Sequence, residues 1–215
     1  MMAAGIALDF TVTEKVVILG ISKTVALQDT KNNPVERIIM GVDPGTLVMG
    51  FGIIKITGKK VVPLLADHLL LSKYDSHALR LKKIFERALG LIDEYLPDEM
   101  ALEAPFYGKN IQSMLKLGRA QGVVMAAALS RDIPVVEYSP RKVKMAITGN
   151  GNASKEQVAA MVARLLDLKA YPFKLDETDA LAVALCHYYN KNISGEKKSY
   201  SGWKAFIKNN PGRVK

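Results

Sequence analysis

"IIMGVDPGTLVMGFGIIKI", residues 38–56, sets one acid between two apolar runs. Residues 38–42 predict a buried strand, "DPGT" at 43–46 a turn, and residues 50–57 a second strand rich in Ile and closed by "GKK". An unpaired carboxylate buried at such a junction costs on the order of several kcal/mol. Asp43 therefore needs a cation, a set of donors or a chemical task.

Outward from that hairpin, "VVPLLADHLLL" at 61–71 predicts a third strand, so the first three strands form an antiparallel meander. Ser76 is placed to cap a helix in which Leu81, Ile84, Phe85, Ala88, Leu91, Ile92 and Tyr95 recur at helical spacing until Pro97. "MALEA" at 100–104 is a short buried strand stopped by Pro105, and a helix of small and apolar residues spans 111–129. "IPVVEY" at 133–138 predicts a further strand. Ser154 and Gln157 form a capping box ahead of an apolar face made by Val158, Met161, Val162, Leu165 and Leu166, and a last helix covers 176–189. The order is three strands, helix, strand, helix, strand, helix, helix. That predicts a mixed α/β sheet of about five strands with flanking helices, in which the later strands lie parallel to the first through helical crossovers.

Residues 1–36 stand apart as an N-terminal extension. "LQDTKNNPVE" at 27–36 predicts a linker, and "EKVVILGIS" at 14–22 is either a short strand of its own or translated sequence upstream of the true start. Residues 37–189 form the regular domain. Residues 190–215 form a tail with seven Lys or Arg against Glu196 alone, a balance of +6 within a total of +9. Such a density of positive charge predicts contact with phosphate backbones. Hydrophobic residues make up 49% of the chain, enough for a substantial core. The single Cys186 excludes an intrachain disulfide framework, and no stretch approaches the ~20 apolar residues of a membrane span. "VVILGI" at 16–21 is too short for a signal peptide and lacks a basic approach, so a cytoplasmic protein is expected.

Carboxylates fall where strands end or a helix begins: Asp43, Glu103, and the pair Asp176 and Asp179. Residues three apart share a helix face, so Asp176 and Asp179 point the same way. Glu177, about 100° further round, is expected to face solvent. Taken singly, Asp43 fits a turn, Glu103 an ion pair with a lysine, and Asp176 or Asp179 a helix cap. Taken together they fit one edge of an α/β sheet, where ligand sites gather. Four converging acids bring a formal −4, and two Mg²⁺ ions would balance it with the hard cation that oxygen ligands favour. His68, His77 and His187 lack zinc-ligand spacing.

Four separated segments carry a resemblance: "IIMGVDPGTLVMGFGII", "ALEAPFYGKNIQSMLKLGRAQGVV", "VVEYSPRKVKMAITGNGNASKEQV" and "DETDALAVALCHYY". In order and spacing they resemble the bacterial Holliday-junction resolvase family RuvC, over about residues 37–189. The resemblance implies a ribonuclease-H-like fold and a homodimer that nicks two strands of a four-way DNA junction symmetrically, in recombination and repair. It implies Asp43, Glu103, Asp176 and Asp179 as the catalytic, metal-holding acids for two Mg²⁺ ions, with Mn²⁺ able to substitute. In that chemistry one ion activates a water and the other stabilises the leaving 3′ oxygen. Lys144 and Lys155 match basic residues near the DNA phosphates. Phe106 matches an aromatic wedge at the junction centre, with Tyr107 in a supporting role and Lys109 and Asn110 toward phosphate. The family also implies the RuvA and RuvB branch-migration proteins as partners. Glycine and alanine along residues 118–128 allow close helix approach, either for the dimer or for the sheet alone.

"VDPGT" also resembles the first phosphate loop of actin-like ATPases and sugar kinases, which would need a second lobe that this chain has no room for. A junction-binding protein without catalysis would not need four acids, and another nuclease of the same fold would act on hybrids or linear ends.

Overall fold

The computed structural model describes residues 36–105, 110–168 and 175–194. The expected N-terminal extension, apart from Glu36, and the basic tail beyond 194 lie outside the described residues. Five strands are present: β1 (Glu36–Asp43), β2 (Val48–Thr57), β3 (Lys60–Leu70), β4 (Glu99–Glu103) and β5 (Val135–Tyr138). Their spatial order is β3-β2-β1-β4-β5. The β1–β2 and β2–β3 pairs are antiparallel, whereas β4 runs parallel to β1 and β5 parallel to β4. This is the expected meander followed by parallel strands.

The helices are α1 (His77–Tyr95), α2 (Ile111–Leu129), α3 (Pro140–Thr148), α4 (Lys155–Leu165) and α5 (Leu175–Ser194). Ser76 caps α1 through its hydroxyl and Asn110 caps α2. At α4 both halves of the Ser154–Gln157 capping box are formed. Helix α3 is an addition to the expected order. It is only nine residues long, yet Ser139 as N-cap, Pro140 at its start, Val143 and Ile147 four apart and a left-handed Gly149 at its end all announce it.

Side chains alternate across β1. Met40 and Val42 enter a core with Phe51 and Ile53 of β2 and with Ile84, Leu91 and Val124 of α1 and α2. Ile39 enters the opposite core, with Ile54, Val143 and Val158, beneath α5. Asp43 has the same parity as Ile39 and Gly41, which places it on the α5 side. Full burial of Phe51 alone contributes about 2–3 kcal/mol. Two residues expected in apolar faces are exposed instead: Phe85 at 38% and Leu165 at 40%. Each sits at the margin of its helical stripe, next to the buried Ile84 and Leu166.

Helix α5 presses on the sheet because the strands beneath it lack side chains at Gly41, Gly50 and Gly52. A Cβ on Gly41 would lie 2.2 Å from the Ala180 carbonyl oxygen, and one on Gly50 would lie 2.1 Å from that of Asp176. No helix of the described residues is long and apolar enough to cross a membrane.

Candidate active site

Strands β1 and β4 are parallel neighbours, with Val42 opposite Leu102, so they deliver Asp43 and Glu103 to the same edge of the sheet. The first turns of α5 add Asp176 and Asp179 from above. Asp43, Asp176 and Asp179 each offer a carboxylate oxygen within 4.8 Å of the others. Glu103 lies with Asp43 and Asp179 in a cleft of about 60 Å³, lined also by Pro140, Val143, Lys144, Lys155 and Val158. Asp43 and Asp179 belong to both groups, and they link Asp176 on one side to Glu103 on the other.

The site is electrostatically strained. Burial, then the charges of Asp179 and Asp176, raise the Asp43 carboxyl to about 7, against an opposing pull from Lys155. Burial, then Asp43 and Asp179, raise Glu103 to about 8, with Lys155 and Lys144 opposing. The counter-charge in contact is Lys155, whose Nζ lies 2.7 Å from Asp179 Oδ2. Together with Lys144, which also lines the cleft, that makes two lysines against four acids. The donor set is all oxygen, the chemistry that Mg²⁺ and Mn²⁺ favour, so the residues present fit a hard divalent cation.

Lys144, half-buried on α3, and Lys155, exposed at the start of α4, both reach the cleft. Asn110 is exposed, and its Oδ1 accepts a hydrogen bond of 3.1 Å from the Ser113 amide as the N-cap of α2. Phe106, Tyr107 and Lys109 lie outside the described residues.

Glu177 corrects the expectation that it faces solvent. It is 8% exposed, and its Oε1 shares a 2.8 Å hydrogen bond with His68 Nδ1 of β3. The signal was present: Glu177 lies four and eight residues before the buried Leu181 and Leu185, on the helical stripe that faces the sheet. Pro140 and Val143 were also missed as walls of the cleft, because α3 was not expected.

A second buried polar chain lies under the middle of α5. Tyr138 Oη is 2.8 Å from His187 Nδ1, and His187 Nε2 is 2.6 Å from Glu99 Oε2. Glu99 opens β4 at the end opposite Glu103, so this chain is set apart from the acidic cleft.

Comparison with known proteins gives a concordant result. The family described as crossover junction endodeoxyribonuclease RuvC matches residues 39–187. The crossover junction endodeoxyribonuclease RuvC of Christiangramia forsetii is 59% identical over 180 residues, covering 84% of this chain and 94% of its own. That of Cytophaga hutchinsonii is 57% identical over 187 residues, covering 86% of this chain and 92% of its own. Among solved structures, Thermus thermophilus RuvC in complex with Holliday junction substrate superposes with a TM-score of 0.69 at 33% identity, over 74% of this chain and 96% of that one. Agreement in sequence along almost the whole length of these relatives, and in fold with one of them, makes the chain a member of the RuvC family of crossover junction endodeoxyribonucleases.

Proposed function

We propose that this protein resolves four-way DNA junctions by paired, symmetric nicks, using two Mg²⁺ ions held by Asp43, Glu103, Asp176 and Asp179. The observation that carries the reading is the convergence of three aspartates within 4.8 Å, with Glu103 in the same cleft. Four like charges in one small, partly buried space are tolerable only when protonated or when cations lie among them. Held by these acids, divalent ions would supply Lewis acidity toward an attacking water and the departing 3′ oxygen, and hydrolysis would leave a 5′ phosphate and a 3′ hydroxyl. The chain's own part is to hold four oxygen donors at fixed separation and to present Lys144 and Lys155 to the phosphate backbone. Phe106 would act as a wedge, with Tyr107, Lys109 and Asn110 beside it on the DNA.

Symmetric cutting requires two sites related by a two-fold axis, so the active form is a homodimer. Helix α2 supports this. Ile111, Leu115, Gly118, Gly122, Met125 and Leu129 follow a 4-3-4-3-4 spacing along one stripe of the helix; Ile111 is 71% exposed and both glycines face open space. In the cell the enzyme would work in the cytoplasm and follow the RuvA and RuvB branch-migration proteins. A nucleotide-binding reading draws no support from the comparisons, whose family match over residues 39–187 is to an endodeoxyribonuclease.

The test is to give the purified chain a synthetic four-way junction, a linear duplex and an RNA–DNA hybrid, with Mg²⁺ and with chelator. Paired nicks on the junction alone, lost on chelation, are the expected result. Cleavage of hybrids or linear ends in preference would assign a different nuclease activity, and ATP hydrolysis without nicking would replace the reading altogether.

A further inference from the structure

The first turn of α5 rests on a row of three residues in register across the sheet: Asp43 of β1 opposite Gly50 of β2, and Gly50 opposite His68 of β3. The carbonyl oxygen of Asp176 sits directly over Gly50, only 2.1 Å from where a Cβ would be. From this point the helix reaches both ways. The Asp176 carboxylate joins Asp43 on one side. Glu177, about 100° further round the helix, bonds His68 at 2.8 Å on the other.

We propose that His68 and Glu177 are positioning residues for the metal site, setting the rotation and height of the α5 first turn so that the Asp176 and Asp179 oxygens stay gathered with Asp43 before any ion arrives. The proposal rests on the nuclease reading of the acidic cleft. Its physical basis is a balance of forces. Asp43, Asp176 and Asp179 repel one another, and that repulsion pushes the first turn of α5 away from β1. Packing over Gly50 sets how close the helix comes, but the glycine offers no side chain that would fix the direction of the Asp176 carboxylate. A short hydrogen bond is directional, and rotation of the helix that carried Asp176 outward would break it. The pair is also well sheltered, with side chains 17% and 11% exposed, so water competes weakly for it. Burial here does not by itself require a polar pair: the same core takes Ile54 and Ala66 from the sheet and Leu181 and Ala184 from α5. Partners one layer out from a metal's ligands are the residues that orient those ligands.

The experiment uses the full chain and Mn²⁺ as the probe. Binding of Mn²⁺ without DNA is followed by the electron paramagnetic resonance signal of free Mn²⁺; nicking of a four-way junction is then titrated with Mg²⁺, and the metal-free thermal midpoint is recorded. His68→Phe, which fills the space without the hydrogen bond, should weaken Mn²⁺ binding about tenfold and raise the half-saturating Mg²⁺ to match. Its rate at saturating Mg²⁺ should stay within about twofold, since the ion itself gathers the ligands once bound. His68→Asn, whose side-chain amide nitrogen stands near the place of Nδ1, should restore most of the affinity. A His68→Phe protein with a lowered midpoint but unchanged Mn²⁺ affinity would overturn the proposal and leave the pair purely structural; so would a His68→Asn protein as weak as His68→Phe. If His68→Phe fails to fold, Glu177→Gln takes its place, and unaltered Mn²⁺ affinity there is equally fatal. A wild-type chain that neither binds Mn²⁺ nor cuts the junction would overturn the nuclease reading itself, a result distinct from unaltered variants of an active enzyme.

Discussion

Lys155 Nζ lies 2.7 Å from Asp179 Oδ2, in a cleft lined also by Asp43 and Glu103. This lysine lowers the proton affinity of Asp43 and of Glu103 as well as pairing with Asp179. Its loss is expected to raise both carboxyls further. In Lys155→Met the acidic limb of the pH–rate profile for junction nicking should move upward, with about a tenfold loss of rate at pH 7. Rates measured from pH 5.5 to 9 at fixed Mg²⁺ check this. An unmoved limb with a weaker junction affinity would restrict Lys155 to holding the DNA backbone.

The raised carboxyls make the metal-free fold sensitive to pH in a definite direction. Asp43 moves from 3.8 to about 7 and Glu103 from 4.5 to about 8 on folding, so between pH ~4 and ~8 the folded chain binds more protons than the unfolded one. These two groups therefore favour the fold at low pH, and that contribution is lost as pH rises through the window. The thermal midpoint with chelator should fall from pH 5.5 to pH 8, while Mg²⁺ should restore it more at pH 8 than at pH 5.5. Metal binding near pH 7 should release protons, read by calorimetry in two buffers of different ionisation enthalpy.

Gly50→Ala tests the seat of α5. The new Cβ would meet the Asp176 carbonyl oxygen at 2.1 Å, a backbone atom that can move only if the helix lifts. The expected cost is about 1–3 kcal/mol of stability, together with loss of Mg²⁺-dependent nicking, because Asp176 moves with the helix. Chemical denaturation and a nicking assay on the same preparation check both parts. Retained activity would mean that the first turn of α5 accommodates the methyl group without moving its carboxylate.

Tyr138→Phe is the contrasting substitution. It removes the hydroxyl that bonds His187 Nδ1 at 2.8 Å, within a buried chain that includes Glu99. A loss of about 1 kcal/mol in stability is expected, with nicking rate and Mg²⁺ requirement unchanged. A large fall in rate would tie this chain to the active site.

Local chemistry made much of the protein legible. Strands at 38–57 followed from apolar runs broken by Asp-Pro-Gly, and α1 and α4 from Ser76 and from the Ser154–Gln157 box, because capping and periodicity act between residues a few positions apart. The four acids stood out because each sat at the end of such an element. Helix α3 went unseen although its cap and its Gly149 are equally local, since nine residues carry little periodicity. What only the tertiary structure decided is distance: that Asp43, Asp176 and Asp179 share 4.8 Å, that Lys155 meets Asp179, and that Glu177 turns inward to His68, 109 residues away. Proton affinities follow those distances, because desolvation and charge repulsion depend on what surrounds a carboxylate in space, whereas a sequence records only its neighbours along the chain.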